Sequence, residues 1–398
     1  MLRRFAATLA GALALSSLVA ACASTAAPLS SPSRSVPSLS SKLQQVSSPV
    51  PRDVSAINLS WMNAHQGWAL ATTPRCTGDR CVAVLGTRDG GRVWTELAHL
   101  RACSSECTLV GEEQLSAITF ASPKLGYIYG GLGDSPLMMT TDGGRDWKVE
   151  KGRDTAALAL AGNVVVRVSS SGAGCPGPCA WSIDEAALAT DSWTSVAAPA
   201  TGNHYSAQLL VEGSDVYALF PGSLTQGAGT QQASLYISED GGAAWVERAD
   251  PCGFTGSMPD DAQEMAVAPH GVLAVLCEPR VDLGTGFFVM VSTDAGVLFG
   301  SREPIPIAGG QQLAATSSTK LWVGNSDVTG QGSYVYKLIR SINGGNTWTT
   351  VVNFRGQVGP TAGSYLGFKG PSDGHWLAPG STLWSTTNAG DSWSKSKF

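Results

Sequence analysis

From about residue 55 to the C-terminus, apolar positions recur at every second residue in short runs, the period of half-buried strands. The pattern is clearest between residues 116 and 150. There Ser-Ala-Ile-Thr-Phe (116–120) alternates, Gly-Tyr-Ile-Tyr-Gly (126–130) follows a short turn, Leu-Met-Met-Thr (137–140) enters a glycine-rich turn, and Trp-Lys-Val-Glu (147–150) leaves it. Four such runs joined by tight turns predict a four-stranded antiparallel meander. Comparable second strands start at Trp68, Tyr217, Trp322 and Trp376, preceded by Gly67, Val216, Leu321 and His375. These large aromatics are expected in the core between sheets.

The glycine-rich turn repeats. It reads TRDGGRVW from Thr87, TTDGGRDW from Thr140, SEDGGAAW from Ser238, STDAGVLF from Ser292, SINGGNTW from Ser341 and TTNAGDSW from Thr386. The starts lie 53, 98, 54, 49 and 45 residues apart, and a shortened copy, Thr190-Asp191-Ser192-Trp193, falls near the middle of the long gap. Seven units of one supersecondary pattern follow. Within each turn, Asp or Asn is expected to accept backbone N–H groups, the glycines to supply positive φ, and the aromatic residue to pack on the sheet. This makes Asp89, Trp94, Asp142, Trp147, Asp240, Trp245, Asp294, Asn343, Trp348, Asn388 and Trp393 structural residues. Asp89, Asp142 and Asp240 also invite a reading as catalytic or metal-binding carboxylates. A residue repeated in a repeated turn favours the structural role.

These segments resemble the Asp-box, or BNR, repeat S-x-D-x-G-x-T-W, and the resemblance spans nearly everything from Ser55 to Phe398. The fold expected is all-β: a single propeller of about seven four-stranded blades over residues 52–398, since radial packing leaves only short, protected sheet edges. The departures are few. Asn343 and Asn388 replace the aspartate, Phe299 replaces the tryptophan, and the third unit is damaged.

The N-terminus has a different character. Arg3 and Arg4 precede an apolar run from Phe5 to about Val19, which closes on Ala20 and Ala21 before Cys22. This is a secretory-signal pattern over residues 1–21. Val19-Ala20-Ala21-Cys22 resembles the lipobox of bacterial lipoproteins, which implies lipidation of Cys22 and an extracytoplasmic location on the cell membrane. Residues 22–51, rich in Ser, Ala and Pro, read as a flexible tether. The piece 42–46 leaves open a pairing with a sheet edge.

Charged residues make up only 14% of the chain against 43% hydrophobic, with 47 glycines, a turn-rich globular balance. The net charge is −5, and removal of Arg3 and Arg4 with the leader makes the mature chain more acidic still. Nucleic acid is therefore excluded as a partner, because phosphate binding needs a basic face. Besides Cys22 there are eight cysteines, an even number that favours disulfides in an exported chain. They allow 105 connectivities. Spacing favours Cys76 with Cys81, Cys103 with Cys107, Cys175 with Cys179, and Cys252 with Cys277. Zinc has little support, since the spacings are not those of zinc knuckles and no histidine clusters with them. No metal and no cofactor is expected.

In a meander the first and third connections share one face, and the second connection shares the other with the link to the next blade. All eight cysteines then sit opposite the repeated turns, together with the longest loops. Loop charges on that face, Arg75, Arg80, Asp260, Asp261, Arg280 and Asp282, are the candidate binding residues for a protein or glycan partner at the cell envelope. The repeat looks like the propellers of the photosystem II assembly-factor family and related exported BNR proteins, which implies a non-catalytic platform. Sialidases and some xyloglucan-cleaving enzymes also carry Asp boxes, which makes a glycoside hydrolase the alternative. The sialidase Arg-Ile-Pro segment does not occur, and its nearest string, Arg302-Glu303-Pro304-Ile305-Pro306, is late and interrupted. Glu112, Glu113, Asp260 and Asp261 keep a carboxylate pair open, but no residue is assigned as catalytic.

Overall fold

Each repeated turn closes on its own side-chain oxygens. In the first, the Thr87 hydroxyl donates to Asp89 Oδ1 (2.9 Å) and accepts the N–H of Gly91 (3.0 Å), while Asp89 Oδ1 accepts the N–H groups of Arg92 and Val93. The same arrangement recurs at Thr140/Asp142, Ser238/Asp240, Ser292/Asp294, Ser341/Asn343 and Thr386/Asn388. Where Asn replaces Asp, its extra amide donates to a hydroxyl four residues on, from Asn343 to Thr347 and from Asn388 to Ser392. Backbone amides from Val93, Ala244 and Leu298 hold Asp89, Asp240 and Asp294 below the usual carboxylate range.

The computed structural model describes residues 48–50, 54–73, 81–101, 115–130, 137–150, 154–170, 181–197, 204, 206–225, 229–255, 258–279, 286–307, 310–330, 333–357, 365–378 and 382–398. It is all-β, a seven-bladed propeller of four-stranded antiparallel blades. Blade 1 is Ser55–Trp61, Gly67–Thr72, Cys81–Thr87 and Thr95–Arg101; blade 2 is Ala117–Phe120, Gly126–Tyr129, Met138–Thr140 and Lys148–Val149. Blade 3 is Asp154–Ala161, Val164–Ser170, Trp181–Ala187 and Thr194–Ala197. Blade 4 is Gln208–Glu212, Asp215–Phe220, Ser234–Ser238 and Val246–Arg248, and blade 5 is Asp261–Ala268, Val272–Glu278, Phe288–Ser292 and Glu303–Pro304. Blade 6 is Gly310–Ala315, Leu321–Gly330, Ser333–Ser341 and Thr349–Gln357; blade 7 is Tyr365–Lys369, Asp373–Ala378, Thr382–Thr386 and Ser394–Lys397. Ser48–Pro49, placed in the tether by composition, pairs with Thr95 and Glu96 and adds a fifth strand to blade 1.

Each turn is tied to the first connection of its own blade by one backbone bond. These run from Gly90 to His65, Gly143 to Lys124, Gly241 to Ser214, Ala295 to Gly271, Gly344 to Thr319 and Ala389 to Ser372. The second turn glycine instead faces the preceding blade. A Cβ there would lie 2.9 Å from Leu383 at Gly91, 2.7 Å from Val166 at Gly242, 2.7 Å from Val289 at Gly345 and 2.5 Å from Trp322 at Gly390. The turn thus asks for glycine twice, for positive φ and for the blade-to-blade seam.

Aromatic rings fill the seams. Phe120 stacks on Trp68 of blade 1 (3.8 Å) and covers Gly126 of its own blade; Phe368 lies on Trp322 of blade 6 (4.3 Å) and covers Gly374. Trp61 does the same between Gly67 and His375, whose ring stacks 3.7 Å away. That last contact joins blade 7 to blade 1, and Phe398 against Trp94 (4.7 Å) reinforces it. Among the described residues no blade takes a strand from another blade, so the ring closes by side-chain packing and not by exchange of a strand. Trp68, Tyr217, Trp322 and Trp376 are all buried.

The innermost strands have free edges, which neighbouring blades satisfy. Asn58 accepts the N–H of Ile118, Ser60 that of Phe120 and Gln208 that of Met265. Glu264 of blade 5 accepts the N–H of Leu313 of blade 6. Ordered side-chain acceptors thus replace a strand partner.

Candidate functional site

Among the described residues, the face opposite the repeated turns is most elaborated at blades 4 and 5. Two small hairpins are added there, Ser223–Thr225 with Gly229–Gln231 and Phe254–Thr255 with Met258–Pro259, and they touch each other. The second springs from a tight loop. Asp250 Oδ1 accepts the N–H groups of Cys252 (3.0 Å) and Gly253 (3.4 Å), and Gly253 at φ 66° accepts the N–H of Asp260.

Three further devices fix this loop on blade 5. Cys252 forms a disulfide with Cys277 at the end of that blade's second strand, with Cα atoms 5.7 Å apart. Arg302, just before the outer strand, pairs with Asp260 and donates to Cys252 O (3.0 Å). Its guanidinium lies 4.2 Å over the Phe288 ring. The Asp260 side chain is inaccessible to water, whereas that of Arg302 is 37% exposed. Burial raises the Asp250 carboxyl above its ordinary range, against the two loop amides, with Asp260 and Asp261 adding to the rise.

At the neighbouring corner the buried His204 donates from Nδ1 to Pro221 O (2.8 Å), and its carbonyl accepts Trp181 Nε1 (2.9 Å). Burial lowers its pKa, and the bond to Pro221 opposes that. Around these anchors lie Glu278, exposed and bonded to Gln263 (3.0 Å), and Asp261, which opens the first strand of blade 5.

The site residues expected from sequence divide accordingly. Asp260, expected among the loop charges of this face, is buried against the partly exposed Arg302. Cys81 opens the third strand of blade 1. Arg75, Arg80, Cys76, Cys103, Cys107, Cys175, Cys179, Arg280 and Asp282 lie outside the described residues, as do Cys22, Glu112 and Glu113. Arg302, His204 and Asp250 were missed. A lone arginine before an edge strand and a lone histidine in a link carry no spacing signal, and their partners are 42 and 17 residues away.

No family model and no curated protein matches the chain. Solved structures do. YCF48 bound to a D1 peptide is 17% identical with a TM-score of 0.53, over 85% of this chain and 95% of that one. YCF48 from Cyanidioschyzon merolae is 17% identical with a TM-score of 0.52, over 86% and 98%. A polysaccharide lyase of family PL25, an ulvan lyase, is 11% identical with a TM-score of 0.56, over 86% and 93%. At these identities the likeness concerns the fold alone.

Proposed function

We propose that this chain is an exported, lipid-anchored, non-catalytic binding or assembly-factor scaffold that holds a protein partner on the face opposite the repeated turns. One observation carries the reading: at blades 4 and 5 that face has added hairpins, a disulfide and a buried ion pair, while the turn face repeats one short geometry. Shape is invested where loops vary, as in recognition surfaces on rigid scaffolds. The acids at the corner are engaged in fixing the loop, Asp260 on Arg302 and Asp250 on backbone amides, which supports a platform over a hydrolytic pair. Lipidation at Cys22 would keep the ring at the membrane surface. YCF48 with its D1 peptide shows that a propeller of this fold can hold a peptide.

The test is photocrosslinking in cells. A crosslinker at Glu278 or Asp261 is expected to capture a membrane-associated protein that Cys22→Ala, by releasing the chain, fails to capture. Capture only from Arg88 or Thr387, on the turn face, would refute the assignment.

A further inference from the structure

Outer strands are where a propeller exposes unpaired backbone, and most here are short. They span 2 residues in blades 2 and 5, 3 in blade 4, and 4 in blades 3 and 7. Two are long: 7 residues in blade 1 and 9 in blade 6. Blade 1 covers part of its edge with the added strand Ser48–Pro49. Blade 6 ends at Thr349–Gln357, and among the described residues nothing pairs beyond it.

Apart from the charge of Arg355, that edge lacks the usual protections. It holds no proline, and its bulge falls next to Thr350, at the end near the turn. Residues 352–357 keep an unbroken register with Ser333–Ser341, from Leu338↔Val352 to Ser333↔Gln357. Long regular edges of this kind accept an extended chain by strand addition.

Charge identifies the chain. Phe354 points toward blade 7, where it meets Trp376 and Trp384, and Lys395 lies 5.3 Å from its ring. Arg355 alternates to the opposite face of the strand and is exposed, as is Lys395. The nearby ion pairs are Lys337 with Asp327 and Arg340 with Asp391, so among the described residues Arg355 and Lys395 have no acid. An added strand would pass with a cation on each side. The chain's own residues 22–47 contain Arg34 and Lys42 and no acid, the wrong charge for this edge.

We propose that the outer edge of blade 6, over residues 352–357, binds an extended acidic segment of a partner protein by strand addition. This surface is separate from the blade 4 and 5 corner. The probe is a short fluorescent peptide of Val, Thr and Glu, titrated into the mature chain by anisotropy. Methylating alternate backbone nitrogens in one phase is expected to abolish binding and in the other phase to leave it unchanged, because only one set of N–H groups faces the edge. Arg355→Glu and Lys395→Glu should each weaken binding about twofold to fivefold without moving the melting temperature. Amides of residues 352–357 should gain protection from hydrogen exchange.

Absence of binding, loss in neither phase, or equal binding of a Lys-for-Glu peptide would overturn the proposal. So would tighter binding of a peptide with the sequence of residues 22–47, or self-association of the chain that Arg355→Glu abolishes. Crosslinking from Glu278 should be indifferent to these variants, so failure here and failure at the corner are distinguishable.

Discussion

Glu264 should make the ring less stable as pH rises through neutrality. It follows a bulge in the first strand of blade 5 and accepts the Leu313 N–H from blade 6. The side chain is only half-buried, yet inner strands crowd it on both sides, and desolvation pushes its pKa from 4.5 up to about 8 against that hydrogen bond. Between those values the folded chain keeps a proton that the unfolded chain has released. Stability is therefore fully present below 4.5, falls as pH rises through the window, and levels off above about 8. The ceiling is on the order of 4–5 kcal/mol across the window; partial exposure should cut it by about half, to roughly 2 kcal/mol. Glu264→Gln keeps the acceptor for Leu313 and removes the titration. In denaturant melts with the Cys252–Cys277 disulfide intact, the variant should match the parent near pH 4.5 and exceed it by roughly 2 kcal/mol at pH 8. Other raised carboxyls, including Glu150 and Asp250, occur in both proteins and cancel in the difference. A gap independent of pH, or a variant weaker at pH 8, would refute the reasoning.

Two further outcomes are expected from denaturant midpoints. Gly241 and Gly242 both have positive φ, 81° and 110°, but a Cβ meets nothing within 4 Å at the first and Val166 at 2.7 Å at the second. Gly241→Ala should cost about 1 kcal/mol for its backbone, and Gly242→Ala roughly 1–3 kcal/mol more for overpacking; equal costs would remove the seam role. Arg302→Ala strands the buried Asp260 and should cost roughly 3 kcal/mol, the low end for a broken buried pair, because the Arg302 site is open to water. Adding Asp260→Asn should recover part of that loss, and a double variant no better than the single one would count against the pair.

The turns were legible because their chemistry is local. Ser or Thr, Asp or Asn and glycine lie within five residues of one another, and the hydrogen bonds they make need no partner from elsewhere. Blade number followed from counting them. Polar residues inside first strands were not legible. Nothing in the local pattern marks Asn58, Gln208 and Glu264, each of which supplies an acceptor to the next blade's free edge. Ring closure was hidden for the same reason, since His375 against Trp61 is a contact between the two ends of the chain.

Blade 3 shows what happens when the local chemistry is lost. Its shortened turn keeps the tie to the first connection, from Leu188 to Asn163 O (3.0 Å), but Ala189 takes φ 62° and no second glycine presses on blade 2. Polar groups join the apolar packing of this seam, where Tyr127, Leu137 and Met139 of blade 2 meet Leu158, Val165 and Ala186 of blade 3. Ala189 donates to Tyr127 Oη of blade 2 (3.2 Å), and Trp193 lies 3.9 Å from the guanidinium of Arg167, which is buried with Asp184 at 3.1 Å. Ser169 adds a 2.6 Å bond to the same Asp184 oxygen. Glu150, at the end of blade 2, is pushed up to about 7, first by desolvation and then by its hydrogen bond and charge contact with Asp191. Ionic groups taken out of water hold such a seam only while their partners stay in place, unlike a glycine against valine, which has nothing to titrate. Rising pH should therefore loosen the seam between blades 2 and 3 first, then the Glu264 seam between blades 5 and 6, and last the seams that hold no raised carboxyl, a gradient that amide hydrogen exchange across the blades would expose.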